Sequence, residues 1–134
     1  MFDFDPDRFE DIPAWQEARE LVKLIYMNTS QGQWAMDDVL RHEIRESSIS
    51  IMTKIAQGSA RQDVIEFRKH VTSARSLTAV VKTHLYTAID LEYLDQDGFD
   101  TLSAAVESTL GMIDLPETNH IQAQRRNLIP MWLC

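Results

Sequence analysis

The amino-acid sequence predicts an all-α protein: an antiparallel up-down-up-down four-helix bundle followed by a C-terminal tail. Apolar residues recur at spacings of three and four along most of the 134-residue chain. Glycine and proline are scarce, at four each, and mark the ends of these periodic stretches. Cys134 is the only cysteine, so a disulfide framework within one chain is excluded.

The first two helices are predicted from residue 13 to 29 and from about residue 37 to 58. We expect Asp11 to be the N-cap of the first helix, with Pro13 in its first turn. The first pattern breaks at Gly32, and Gly58 is the expected C-cap of the second helix. The predicted inward residues are Ala14, Ala18, Leu21 and Ile25, then Leu40, Ile44, Ser48, Ile51 and Ile55.

The third helix is predicted from about residue 62 to 92 and the fourth from the turn at 94–98 to Ile113, where Pro116 stops it. The third has a seam of coiled-coil type with Thr78 as its one polar member: Val64, Phe67, Val71, Ala74, Thr78, Val81, Leu85 and Ala88. Short connections between consecutive helices imply antiparallel neighbours. We therefore divide the chain into a bundle domain, residues 1–116, with a short acidic N-terminal arm, and a tail, residues 117–134.

A basic segment interrupts an otherwise acidic chain. The formal net charge is -8, yet residues 41–82 hold eight basic residues against four acidic ones. Arg61, Arg68, Arg75 and Lys82 lie seven residues apart, so the spacing predicts one stripe on a helix face. The candidate contacts for a nucleic acid or an acidic partner are Arg41, Arg45, Lys54, Arg61, Arg68, Lys69, Arg75 and Lys82. The alternative is that the stripe forms salt bridges with acidic residues of the first or fourth helix.

Catalytic and metal-binding patterns are lacking, so we predict a non-enzymatic protein without a cofactor. The only Glu-x-x-His pair is Glu117 with His120, in the tail, whereas a di-iron bundle needs such pairs on two inward faces. No glycine-rich phosphate loop accompanies Gly58. The acidic N-terminus lacks the apolar region of a signal peptide, so we expect a cytoplasmic location.

The tail ends in an apolar segment that should be covered in the folded protein. Its candidate interface residues are Leu128, Ile129, Met131, Trp132 and Leu133. Two positions for this segment remain open: the surface of its own bundle, or another subunit or partner protein. Trp34 is predicted to lie in a loop, where it could be an interface anchor as well.

Three blocks of residues resemble the four-helix bundle proteins encoded in intervening sequences of bacterial 23S ribosomal RNA genes. The first is FEDIPAWQEARELVKLIYMNT, from residue 9. The second, SIMTKIAQGSAR, is similar to that family's S-I-P-x-N-I-A-E-G-x-x-R signature at Ser50, Ile51, Ile55, Ala56, Gly58 and Arg61. The third includes Phe67, Ala74, Arg75, Thr83, Leu85, Ala88, Leu91, Tyr93 and Leu94. Together they cover roughly residues 9–113.

This resemblance implies a compact antiparallel bundle that assembles into a homopentameric ring. A similar bundle is the accessory variability protein of diversity-generating retroelements, in which a basic pentamer binds a reverse transcriptase and RNA. The predicted function is therefore a homo-oligomeric adaptor for a nucleic-acid-processing machine such as a reverse transcriptase, with RNA or DNA as a ligand. The alternative is a scaffold that contacts only proteins, through its apolar tail.

Overall fold

The computed structural model describes residues 8–61 and 63–115, and within these ranges all regular structure is helical. The four helices are α1 (Pro13–Thr29), α2 (Asp38–Ala60), α3 (Val64–Asp90) and α4 (Gln96–Ile113). Single 3-10 turns at Phe9–Asp11 and Trp34–Met36 precede α1 and α2. The all-α prediction is confirmed. The tail and its five apolar candidates lie outside the described residues, so the proposed domain division stays a prediction.

Each helix packs against its neighbours in the chain, and α4 returns to pack on α1. Asp37, at the start of α2, bonds to Tyr93, just beyond the end of α3. Tyr86, late in α3, packs its ring 5.0 Å from that of Phe99, early in α4. The start of α2 therefore lies beside the end of α3, and the end of α3 beside the start of α4, in agreement with the up-down-up-down arrangement predicted from the short connections.

The core follows the apolar stripes. All the inward residues predicted for α1 and α2 are buried, as are six of the eight seam residues of α3, with Val64 and Val71 half-buried. The hydroxyl of Thr78 donates a hydrogen bond to the carbonyl of Arg75 at 2.6 Å. Burying this polar residue in the seam therefore reduces the stability of the fold only slightly. Burying a Leu or Ile side chain stabilises the fold by about 1.5–3 kcal/mol, which makes this core the main source of stability.

Two predicted caps are wrong. Asp11 lies in the 3-10 turn, and the N-cap of α1 is Ile12, whose extended backbone precedes Pro13 at the first helical position. Gly58 does not end α2, which continues to Ala60. Gly58 is buried instead, and a Cβ placed on it would lie 2.9 Å from the Cβ of His70. The glycine therefore allows α2 and α3 to approach closely.

Trp34, Asp37 and Tyr93 close one end of the bundle. Trp34 is 1% exposed, so the expectation of a loop anchor is wrong: the indole stacks on the ring of Tyr93 at 6.3 Å. Tyr93 donates its hydroxyl to Oδ2 of Asp37 at 2.9 Å, while Oδ1 of Asp37 caps α2 by accepting the amide of Leu40 at 3.0 Å. The cap bond and the tyrosine bond lower the pKa of Asp37, and the same carboxylate raises the pKa of Tyr93.

The chain reaches that end through a left-handed residue after α3. Glu92 has φ of 63°, the only positive φ at a described residue other than glycine. The amide of Tyr93 donates to the carbonyl of Ala88 at 2.9 Å and that of Glu92 to Ile89 at 3.0 Å. This is a Schellman motif, in which glycine is the usual residue at the left-handed position. The motif turns Tyr93 back toward Asp37.

Candidate functional site

The four-residue basic stripe predicted on one helix face is divided between two elements. Arg61 is the C-cap of α2 and has extended backbone, with φ of -83° and ψ of 142°. Asp63 then caps α3 by accepting the amides of Ile65 at 2.7 Å and Glu66 at 3.4 Å. The chain reverses between these caps, so the seven-residue spacing from Arg61 to Arg68 does not describe a shared helix face.

The three remaining members of the stripe lie on α3 but are not equivalent. Positions seven apart on a straight helix rotate by about 20° per step, because 3.6 residues make one turn. Arg68 is exposed, the side chain of Arg75 is 62% exposed, and that of Lys82 only 32%. The stripe therefore runs from open surface into the groove between α3 and α4.

The two inner members of the stripe pair with acidic residues of α4. Nζ of Lys82 lies 2.5 Å from Oε1 of Glu107, and Nε of Arg75 lies 3.1 Å from Oδ1 of Asp114. The hydrogen bond to the Glu107 carboxylate raises the pKa of Lys82. These are the pairs that the alternative interpretation of the stripe predicts. Exposed pairs of this kind contribute only about 0–1 kcal/mol each.

Arg45 joins α2 to the end of α1. Its Nε donates to the hydroxyl of Thr29 at 2.8 Å and its Nη2 to the hydroxyl of Ser30 at 3.1 Å. Its guanidinium carbon lies 4.3 Å from the centre of the Tyr26 ring, within range of a cation–π interaction. Two of the five N–H donors of Arg45 are thus bonded within the fold, and its guanidinium is held against the Tyr26 ring.

Arg41 is held in a similar way. It donates to the carbonyl of Ala35 and, at 2.7 Å, to the carboxylate of Asp38. Both arginines border an open groove of about 410 Å³ between α1 and α2. The groove is lined by Tyr26, Arg41, His42, Arg45, Glu46, Ile49 and Ser50. Glu46 is the one carboxylate of this lining, and it lies 3.0 Å from Nε2 of His42.

The other four candidate cations gather where α2 ends and α3 begins. We call this surface the basic end and define it by Lys54, Arg61, Arg68 and Lys69. Within the described ranges neither Lys54 nor Arg68 has an ion pair, and Lys69 lies 3.5 Å from the exposed carboxylate of Glu66. Between residues 54 and 75 five basic residues stand against two acidic ones, so this hairpin is positive in an acidic chain.

A second groove, of about 340 Å³, opens at the basic end and is lined by Gln57, Ala60, Arg61 and His70. Nδ1 of His70 lies 2.8 Å from the carbonyl of Glu66, and a carbonyl only accepts, so Nδ1 carries the proton. Nε2 is then the ring nitrogen available to a ligand. The guanidinium of Arg61 and the amide of Gln57 are donors that suit an anionic ligand, whereas Nε2 of this His70 tautomer accepts a hydrogen bond.

The opposite end of the bundle carries an apolar surface that the sequence reasoning missed. Met36 is 83% exposed and Val39 is 74% exposed, on either side of the α2 N-cap. Neither residue belongs to an amphipathic stripe, so the periodicity contained no signal for them. Leu91, at the end of α3, is also exposed. Large exposed apolar side chains close to one another are typical of protein contacts.

Across residues 8–61 and 63–115, no group of three acidic, histidine or cysteine side chains is placed to hold a metal ion. The Glu117–His120 pair lies outside these ranges. None of the helices in the described part combines the length and apolar composition that a bilayer crossing needs.

A family model described as "23S rRNA-intervening sequence protein" matches residues 10–114. The match extends over all four helices and includes the basic end, whereas the tail lies beyond it. A comparison with curated proteins finds no match.

Proposed function

Since the chain belongs to the 23S rRNA-intervening sequence protein family, we propose that it is a non-enzymatic, homo-oligomeric helical-bundle adaptor. In this proposal it forms a pentamer in the cytoplasm and acts with a nucleic-acid-processing machine such as a reverse transcriptase. One observation supports the nucleic-acid part: Lys54 and Arg68, which have no ion pair within the described ranges, both lie at the basic end. The proposed contact surface is therefore smaller than the set of eight cations in the sequence.

The contacts divide the candidate cations into two groups. Arg41 and Arg45 donate within the connection of α1 and α2, and Arg75 and Lys82 pair with α4. Cations already paired release fewer counterions from a polyanion and gain less by binding it. At the basic end, Lys54 and Arg68 have no ion pair within the described ranges, so their charge remains for a ligand. In a symmetric oligomer this surface recurs once per subunit, so several weak contacts to one strand would give strong binding.

Charge reversal at Arg68 tests the nucleic-acid contact. Arg68→Glu is compared with Lys23→Glu, because Lys23 is exposed on α1, away from the basic end. Binding of a labelled single-stranded RNA is followed by fluorescence anisotropy between 50 and 200 mM salt. We expect Arg68→Glu to weaken binding and to reduce the slope of log K against log salt by about 0.7. Equal binding by the two variants would reject the basic end as the contact.

The assembly is tested by light scattering of the purified full chain. A pentamer has five times the 15.5 kDa mass of the chain. The measurement is made over a range of protein concentrations, because the mass of a weak assembly falls on dilution. A mass that stays at 15.5 kDa at all concentrations would contradict the oligomeric part of the proposal and leave the RNA experiment unaffected.

The exposed apolar end favours a second candidate function, a scaffold that contacts only proteins. Met36 and Val39 offer a surface for a partner, and the apolar segment at residues 128–133 offers another. Deleting residues 128–134 should then reduce the mass of the assembly or prevent capture of a protein partner. An unchanged mass and an unchanged set of partners would count against the scaffold.

A further inference from the structure

Three large apolar side chains are exposed together where α2 begins and α3 ends. Met36 is 83% exposed, Val39 is 74% exposed and Leu91 is 48% exposed. We call these three residues the apolar patch. We propose, as a step that rests on the second candidate function, that the apolar patch binds an amphipathic helix of a partner protein. In that helix, lysine or arginine residues lie beside the apolar face.

The apolar patch is held in place by contacts between the two helix ends. Asp37 stands between Met36 and Val39 and caps α2. Its carboxylate accepts the hydroxyl of Tyr93, two residues after Leu91, at 2.9 Å. This bond fixes the start of α2 beside the end of α3, so that one partner can contact both. A surface that is ordered before binding loses little conformational entropy when a partner docks.

The rim of the apolar patch is acidic. Asp90 and Glu92 flank Leu91 and are exposed, and among the residues that the structure describes neither has an ion-pair partner. The sequence has seven acidic residues and no lysine or arginine from residue 83 to residue 115. Such a surface attracts a cationic partner and repels a nucleic acid or an anionic membrane. A second copy of this chain, with its net charge of -8, matches it less well than a basic segment does.

The end of α3 strengthens this negative charge. A helix has partial negative charge at its C-terminus, where basic residues are stabilising. The last turn of α3 has no basic residue, and Asp90 ends the helix. Glu92 follows with φ of 63°, at the position where glycine is usual. Both carboxylates therefore stand where they reduce the stability of the fold, and a cation of a partner would offset their repulsion.

The size of the surface suits one helix. Met36 and Val39 lie at the start of α2 and Leu91 at the end of α3, and neighbouring helix axes are about 8–10 Å apart. A helix with its side chains is about 10–12 Å wide, so one helix laid across the two ends covers all three residues. Its apolar residues at spacings of three and four would contact the patch, while basic residues beside them reach Asp90 and Glu92. The flexible side chain of Met36 adapts to the partner that packs on it.

Binding is tested with a synthetic peptide of leucine and lysine that is about 18 residues long, or about five helical turns. Its leucines follow spacings of three and four, and a control peptide has the same composition in an order that gives no apolar face. Fluorescence anisotropy of each labelled peptide is measured with the purified full chain. We expect the amphipathic peptide to bind about tenfold more tightly, because charge attracts both peptides but only one can cover the patch. Equal binding of the two peptides would overturn the proposal.

Two matched substitutions locate the contact. Val39→Ser removes an exposed apolar side chain from the patch. Ile65→Ser removes one of similar exposure at the start of α3, about 40 Å away along this 27-residue helix. We expect Val39→Ser to weaken binding of the amphipathic peptide by about tenfold and Ile65→Ser to leave it unchanged. Equal binding by the two variants would reject the patch as the contact.

Replacing Glu92 with glycine separates binding from stability. Glu92→Gly relieves the left-handed strain, so a purely structural role predicts higher stability and unchanged binding. We expect higher stability together with peptide binding that is weaker by about threefold, because a carboxylate of the rim is lost. Glu20→Gln, at an exposed acid on α1, is the charge-matched control and should bind as the wild-type chain does. Unchanged binding by Glu92→Gly, or an equal loss in the control, would overturn the assignment of a basic partner.

These measurements separate the apolar patch from the other proposed surfaces. If Val39→Ser lowers the mass of the assembly and neither peptide binds, a second copy covers the patch and the proposal is overturned. If the chain without residues 128–134 still binds the amphipathic peptide through Val39, the proposal is supported even where the tail contributes nothing to the scaffold. Absence of peptide binding, together with RNA binding that depends on Arg68, would reject the proposal and leave the nucleic-acid contact intact.

Discussion

Replacing Gly58 with alanine measures how closely α2 and α3 must approach. The residue lies inside α2 and is buried, and the added Cβ would stand 2.9 Å from the Cβ of His70 and 3.5 Å from Cδ2 of Phe67. The nearer atom is a Cβ, which moves only with its backbone. The clash therefore cannot be relieved by a rotamer change and requires α3 to shift.

Two opposing effects set the magnitude. Alanine is favoured over glycine within a helix by about 1 kcal/mol, which alone would stabilise the variant. Inserting a methyl group into a tightly packed interior costs about 1–3 kcal/mol. Since a contact of 2.9 Å is far inside ordinary van der Waals distance, we expect the packing cost to exceed the helix gain. The free energy of unfolding of Gly58→Ala should fall by about 1 kcal/mol.

Gly111 provides the matched control. It lies in the last turns of α4 with helical φ, and nothing stands within 4 Å of a Cβ placed on it. Gly111→Ala therefore gains helix stability without a packing cost, and its free energy of unfolding should rise by about 0.5–1 kcal/mol. The same substitution is thus expected to have opposite signs at two helical glycines of one chain.

Urea unfolding followed by far-ultraviolet circular dichroism distinguishes the two variants. The midpoint should decrease for Gly58→Ala and increase for Gly111→Ala, with unchanged slopes. All samples are compared at one protein concentration, because assembly makes apparent stability depend on concentration. If Gly58→Ala is as stable as the wild-type chain, or more stable, the close approach of α2 and α3 does not limit residue size at this position.

Three further predictions concern single contacts. Glu92→Gly should raise the free energy of unfolding by about 1 kcal/mol, because glycine occupies the left-handed region without strain; a lower urea midpoint would contradict this. Arg45→Ala should lower the free energy of unfolding by about 2 kcal/mol, because its hydrogen bonds and ring contact are lost, whereas Arg68→Ala should leave this energy nearly unchanged. Equal effects of the two substitutions in thermal unfolding would refute the structural role of Arg45. The lowered pKa of Asp37 contributes stability above pH 3.8 that is lost as pH falls through the folded-state value, and the raised pKa of Tyr93 contributes stability below pH 10.0 that is lost as pH rises through its folded-state value. Tyr93→Phe should weaken both dependences in urea titrations at acidic and alkaline pH, and identical pH profiles would disprove the link.

Helix positions could be predicted where the signals are local. The structure has α1 from Pro13 to Thr29, as predicted from the apolar period and from proline at the first position. Gly32 has φ of 61°, in agreement with the predicted break after this helix. Asp37 caps α2 with its side chain, at the point where the second helix was expected to begin. Each of these features depends on residues within one or two turns of chain.

The errors occur where another helix decides the outcome. Glycine is typical of a helix C-cap, but Gly58 lies within α2. The absence of a Cβ there leaves space for His70 of α3. Trp34 lies in a short connection, and Tyr93, which stacks on it, follows much later in the chain. The period of α3 located Arg75 and Lys82 on one flank, yet it could not show that α4 supplies acidic partners on that flank.

The sequence by itself determined the number of helices, their approximate limits and the apolar faces that pack together, because helical periodicity and capping act over a few residues. Only the tertiary structure decided which cations are neutralised, since the Lys82–Glu107 bond joins residues 25 positions apart and depends on how α3 and α4 are aligned. A charged side chain either stays available to a ligand or forms a salt bridge within the fold, depending on which residue of the facing helix lies opposite it. That neighbour is set by the packing of the helices and not by the local pattern.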